Sequence, residues 1–209
     1  GTSVIVLPLD VTDAASIGSC MEETRSRAGA VDVLVNNAGF ALAGYAEDVS
    51  DAELREQLDT NFFGSVAVTR AVIPEMRARH SGRIITISSV AGLFGSPGLG
   101  AYCASKWAVE GWFESLRYEL LTYSVFVSLV EPGVYPTEIF GSNRRIAARA
   151  SDPSSPHRAE YQRMAKLHAT RRRRKPPSAL YNSRQLLVAG KSQTRFRWAG
   201  CSYQMPCGR

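Results

Sequence analysis

The stretch RIITISSVAGLFGSPGLGAYCASK, residues 83–106, decides how this chain is read. Ile84 to Ser89 is rich in β-branched residues and predicts a buried strand over 83–88. Ser89 then stands at the strand's C-terminal end, where open α/β sheets bind their ligands. Gly92, Gly95, Gly98 and Gly100 mark a loop, and a helix is predicted over about 101–122. Tyr102 and Lys106 are four residues apart on that helix, about one turn, so both side chains leave the same face. An ammonium near a phenol favours the phenolate, and the expectation is a Tyr102 pKa brought down towards working pH. Such a Tyr can give or take a proton while a carbonyl and an alcohol interconvert.

Tyr-x-x-x-Lys alone is a common helical spacing, so the surroundings carry the argument. Towards the N-terminus, Asn61 falls inside a long predicted helix over 51–79, which Pro74 is expected to bend. Ser50 and Glu53 form a capping box at its start. Asn36-Asn37-Ala38-Gly39 directly follows an apolar strand at 31–35. A helix ends near Ala28 before Gly29, with Asp13 or Ser16 at its start, and Val4–Leu7 reads as a short strand ending at Pro8. Val125–Val130 is a further strand. This alternation predicts a doubly wound parallel sheet with helices on both faces, in three layers.

In order and spacing, these motifs resemble the short-chain dehydrogenase/reductase family, single-domain type. The resemblance runs from about Val4 to Phe140. It rests on Asp10-Val11-Thr12, Asn36-Asn37-Ala38-Gly39, Asn61, Ser89, Tyr102 with Lys106, and Pro132-Gly133-Val134-Tyr135-Pro136-Thr137. It implies a Rossmann-like fold and an NAD- or NADP-dependent oxidoreductase acting on a small alcohol or ketone. Tyr102 would be the general acid/base, and Lys106 would lower its pKa and hold the cofactor ribose. Ser89 would bind the substrate oxygen. Asn61 would interrupt its helix and hold a water that relays protons from Lys106 to solvent. Asp10 and Val11 would meet the adenine, although Asp10 reads equally as a helix cap. Asn36, Ala38 and Gly39 would support the sheet and admit the adenosine side, although Gly39 also reads as a turn residue. Pro132-Gly133 would turn the chain beneath the nicotinamide, Val134 would also meet the cofactor, and Thr137 would bond its carboxamide or the phosphates.

Phe94, Leu99, Val134, Tyr135, Ile139 and Phe140 are expected to line a mostly apolar substrate cleft. Residues 111–120 resemble the branch holding retinol- and hydroxysteroid-type dehydrogenases. Trp107, Trp112 and Phe113 read as core or subunit interface, and the family habit implies a homodimer or homotetramer. The family's glycine-rich turn, which receives the cofactor pyrophosphate at a helix N-terminus, is not found before Asp10. The chain is therefore read as an N-terminally truncated member lacking the first two strands, its sheet edge exposed, binding dinucleotide poorly by itself.

Charge divides the chain in two. Residues 1–143 carry 9 Lys/Arg against 17 Asp/Glu, a net of −8, and are read as a partial Rossmann-like catalytic domain. Residues 144–209 carry 16 against 2, a net of +14, and are read as a basic, irregular C-terminal segment. Arg171–Lys175 is a run of five cations. It admits three readings: a diverged family C-terminus, a misread frame, or a non-catalytic fragment whose basic tail binds nucleic acid or another acidic partner. The last is the disfavoured one, because no nucleic-acid motif surrounds the run. Leu186–Val188 and Phe196–Trp198 read as isolated apolar islands. Cys20 and Cys103 read as packing thiols, and Cys201 and Cys207 fall in the tail. His80, His157 and His168 are scattered and read as surface residues, so no metal is expected. No apolar run reaches the length of a membrane span and no signal peptide is visible. The expected location is cytoplasmic.

Overall fold

The structure, a computed structural model, describes residues 4–133, Ile139, 143–164 and 186–189. Helix α1 (Ala14–Ala28) starts where Asp13 accepts a hydrogen bond from the Ala15 amide, and ends at Gly29. Strand β1 (Val31–Asn36) follows, then the short β2 (Ala41–Ala43). Helix α2 (Asp51–Leu58) opens on the complete Ser50–Glu53 capping box. At Asp59–Phe63 the helix widens into a π turn, and it continues as α3 (Gly64–Ala78). Strand β3 (Gly82–Ile87), a 3₁₀ turn at Val90–Gly92, helix α4 (Gly100–Leu121) and strand β4 (Val125–Val130) complete the regular part. Beyond it lie β5 (Arg144–Ile146) and β6 (Leu186–Ala189).

The main sheet has the order β4-β3-β1-β6, with β4, β3 and β1 parallel and β6 antiparallel to β1. The α/β parallel-sheet class is thus as expected, with one correction to its outline. The edge of β1 is not bare: it pairs with residues 186–189, which sequence reading left as an isolated apolar island. Among the described residues α1, α3 and α4 share one core with Leu34, Ile84, Val125 and Val127, while Phe126 on the other side of β4 is 52% exposed. The reading of 4–7 as a strand also fails. The segment forms no strand pairing and Val4 is 82% exposed, because β propensity forms no strand without a neighbouring edge.

A second, two-stranded sheet joins β2 to β5 in parallel. Tyr161, Ser155 and His157 then hold the 152–164 segment onto residues 45–48. The Ser155 hydroxyl donates to Asp48 Oδ2 at 2.7 Å, the Tyr45 amide donates to the Tyr161 hydroxyl, and His157 stacks on Tyr45 with ring centres 4.3 Å apart. His157 is therefore a packed side chain, unlike the exposed His80.

Candidate active site

Three of the sequence-selected residues, Ser89, Tyr102 and Lys106, meet at the C-terminal end of β3, and Asn61 reaches α4 through Ser105. Tyr102 (2% exposed) and Lys106 (5% exposed) face inward from α4, with Lys106 Nζ 5.8 Å from the centre of the Tyr102 ring. Ser89 follows β3 and caps the 3₁₀ turn, where its Oγ accepts from the Ala91 amide at 3.1 Å. Its hydroxyl is hydrogen-bonded with the Tyr102 phenol. Asn61 is buried in the π turn, the local interruption expected of it. Its Nδ2 donates to the Phe40 carbonyl at 3.0 Å and to Ser105 Oγ at 3.1 Å, and its Oδ1 accepts from the Phe40 amide.

The electrostatics correct one expectation. Burial raises the Tyr102 pKa above the usual phenol value, and Ser89 only partly offsets this. Burial likewise pushes Lys106 down to about 8, against the opposing charge of Glu110. The ammonium donates to the Ile87 carbonyl at 2.9 Å. Desolvation, opposed only by the Ser89 hydrogen bond, therefore favours the neutral phenol.

The remaining candidates divide. Asp10 Oδ1 accepts from both the amide and the hydroxyl of Thr12, which hold its carboxyl below the usual range. Val11 is in the core. The Asn36 amide donates to Thr69 and Thr86, fixing β1 to α3 and β3. A Cβ on Gly39 would lie 3.0 Å from Asn61 Oδ1, so a larger residue there crowds the π turn. Pro132 accepts from the Val90 amide at 3.2 Å, which brings Pro132-Gly133 beside the Ser89 turn. Leu99 and Ile139 pack on the cluster of Tyr102, Cys103, Ala41 and Ala91, whereas Phe94 is exposed. Cys20 and Cys103 are buried free thiols. Val134, Tyr135, Thr137, Phe140, His168, Cys201, Cys207 and the cations at 171–175 lie outside the described residues.

Sequence reading missed Ser105, which is buried, donates to the Tyr102 carbonyl at 2.7 Å and receives Asn61. Its place one turn after Tyr102, inside the same pentapeptide, was the available signal. It also missed Gln57, whose amide holds Leu42 and Phe40 one turn before Asn61.

No helix among the described residues is long and apolar enough to cross a membrane. No group of three potential metal ligands forms among the described residues.

A family model described as short chain dehydrogenase matches residues 1–147. Human retinol dehydrogenase 8 is 43% identical over 173 residues, covering 82% of this chain and 55% of that protein. A short-chain dehydrogenase structure from Streptomyces avermitilis superposes with a TM-score of 0.68 at 36% identity, over 78% of this chain and 60% of that one. A gluconate 5-dehydrogenase from Burkholderia cenocepacia, solved with NADP and tartrate, gives a TM-score of 0.61 at 29% identity, over 64% and 52%. The chain thus spans about half the length of the curated relatives it matches.

Proposed function

The chain belongs to the short-chain dehydrogenase family, and on that premise we propose that it carries the acid–base half of an NAD(P)-dependent oxidoreductase interconverting a lipophilic alcohol and its carbonyl. The observation that carries this reading is the buried grouping of Ser89, Tyr102 and Lys106 at the end of β3, with buried Asn61 joined to the same helix through Ser105.

The donor set suits a nicotinamide riboside and a substrate carbonyl. The Lys106 ammonium uses one of its three protons on Ile87, which leaves donors for ribose hydroxyls. The cofactor, when bound, supplies or receives the hydride. The chain's own residues manage charge and protons. Ser89 donates to the substrate oxygen as negative charge builds on it. Tyr102, kept neutral by burial, transfers its proton to that oxygen. Lys106 then stabilises the phenolate left behind. Asn61 spends its amide on Phe40 and Ser105 and so braces the π turn against α4. Both protons of the Asn61 amide are thus spent on protein partners, and its main-chain carbonyl accepts from the Ser65 hydroxyl.

Leu99 and Ile139 beside Tyr102, together with the retinol dehydrogenase relative, support a retinoid- or steroid-like substrate. Trp107 on α4 and Phe63 in the π turn present large apolar surface to solvent. We assign that surface to subunit pairing.

The test is NAD(P)H consumption with a panel of retinoid and steroid ketones. The chain is assayed both alone and joined to the N-terminal segment of retinol dehydrogenase 8. Turnover in the joined form that falls by about 10²–10⁴-fold in Tyr102→Phe is expected. Undiminished carbonyl reduction by Tyr102→Phe contradicts the mechanism.

A further inference from the structure

Tyr102 and Lys106 are followed at the same spacing by Glu110, so the three side chains share one face of α4. Glu110 is half-buried, and its Oε1 is shut off from solvent. Two features at the end of β3 are shaped around it. The Ser88 hydroxyl, adjacent to Ser89, is also buried and lies near enough to favour the Glu110 carboxylate. Neither oxygen completes a hydrogen bond of full geometry among the described residues. Gly92, at the end of the 3₁₀ turn, closes over the same side chain. A Cβ there would stand 2.8 Å from Glu110 Cγ, 3.2 Å from its Oε1 and 3.2 Å from the Lys106 carbonyl. The turn that carries Ser89 thus rests on Glu110, and a side chain at position 92 would have to displace it.

We propose that Glu110 is a positioning residue that seats the Ser88–Gly92 turn on α4 and sets the charge environment of Lys106. The inference rests on the oxidoreductase reading above for its purpose, not for its geometry. Burial raises the Glu110 pKa; Ser88 and Lys106 draw it back, while Glu131 from the end of β4 and Glu114 from the next turn of α4 push it up. In the other direction Glu110 keeps Lys106 from falling further than about 8. A buried carboxyl one turn away therefore helps to keep the ammonium charged near neutral pH.

The experiment follows Lys106 directly, by NMR titration of ¹³Cε-lysine in the 209-residue chain, with Lys106→Met to assign the signal. It needs neither cofactor nor turnover, so failure of the oxidoreductase reading leaves it intact. In Glu110→Gln, which keeps size and hydrogen-bonding capacity, the Lys106 midpoint should fall by about half a pH unit or more, with the thermal midpoint close to wild type. Gly92→Ala, which displaces Glu110 without removing its charge, should also move the Lys106 midpoint. A Lys106 titration unchanged in both variants overturns the proposal. So does a shift in Glu110→Gln that appears only together with loss of folded dispersion in the spectrum.

Discussion

Lys106 stands one turn from Tyr102, yet its hydrogen bond goes to the Ile87 carbonyl. Helix α4 is thereby tied to the last residue of β3 through the cation itself. Both side chains are almost wholly enclosed, so the pair is ordered at a considerable desolvation cost. A charge held there is a liability for folding and an asset for chemistry.

That liability is measurable. The Lys106 pKa is about 8 in the fold against 10.5 for the free side chain, a difference of about 3–4 kcal/mol at about 1.4 kcal/mol per pH unit. Lys106→Met should therefore raise stability at pH 7 by up to about that amount, read by urea denaturation. A destabilised variant counts against a strained, buried cation.

The pH sign follows from the same value. Below about 8, Lys106 is protonated in both folded and unfolded states and the burial penalty is complete. Between 8 and 10 the unfolded chain holds more protons at this site, so this contribution makes stability rise with pH. The raised Tyr102 pKa acts in the opposite sense only above that window. Denaturation midpoints across this range should rise more in wild type than in Lys106→Met.

Catalysis should show the reverse trend. Ketone reduction needs the neutral phenol and the ammonium together. Tyr102 stays protonated well past neutrality, so the first loss on raising pH belongs to Lys106. The kcat/KM for reduction by the joined form should decline through about pH 8. A profile flat to pH 10 removes Lys106 from the proton chemistry.

Asn61 braces the π turn through its side-chain hydrogen bonds. Its replacement by Ala strips partners from the buried Phe40 amide, the Phe40 carbonyl and Ser105. A loss of about 2–4 kcal/mol is expected. Asn61→Ala as stable as wild type in denaturant would show that the π turn holds itself.

Calorimetry addresses cofactor capture. No glycine-rich turn at a helix N-terminus occurs among the described residues next to β1, and the flank of β1 is paired with β6. The 209-residue chain should bind NADH and NADPH only at millimolar concentrations or above. Micromolar affinity contradicts this.

Much of the arrangement was legible because it is locally encoded. Asp13 and the Ser50–Glu53 box cap their helices through neighbours two and three residues away. The Ile84–Ser89 run and the Tyr102–Lys106 spacing each lie within one element. What escaped depends on distant partners. Ala41–Ala43 has little β propensity and becomes a strand because Arg144–Ile146 pairs with it. Residues 4–7 have the propensity and no partner. The direction of the Tyr102 shift depends on how deeply α4 is buried, which spacing alone cannot express.

The antiparallel β6 also bears on the order of assembly. Strands β1, β3 and β4 are joined by helical crossovers of moderate length, but β6 returns to β1 from about 150 residues downstream. Closing so long a loop gains nothing until its register is found. The three parallel strands and their helices thus form a nucleus able to condense first, and β6 is a latch added afterwards. Without residues 186–189, this edge of β1 loses its β6 partner, and an unpaired edge of that kind is open to strand addition.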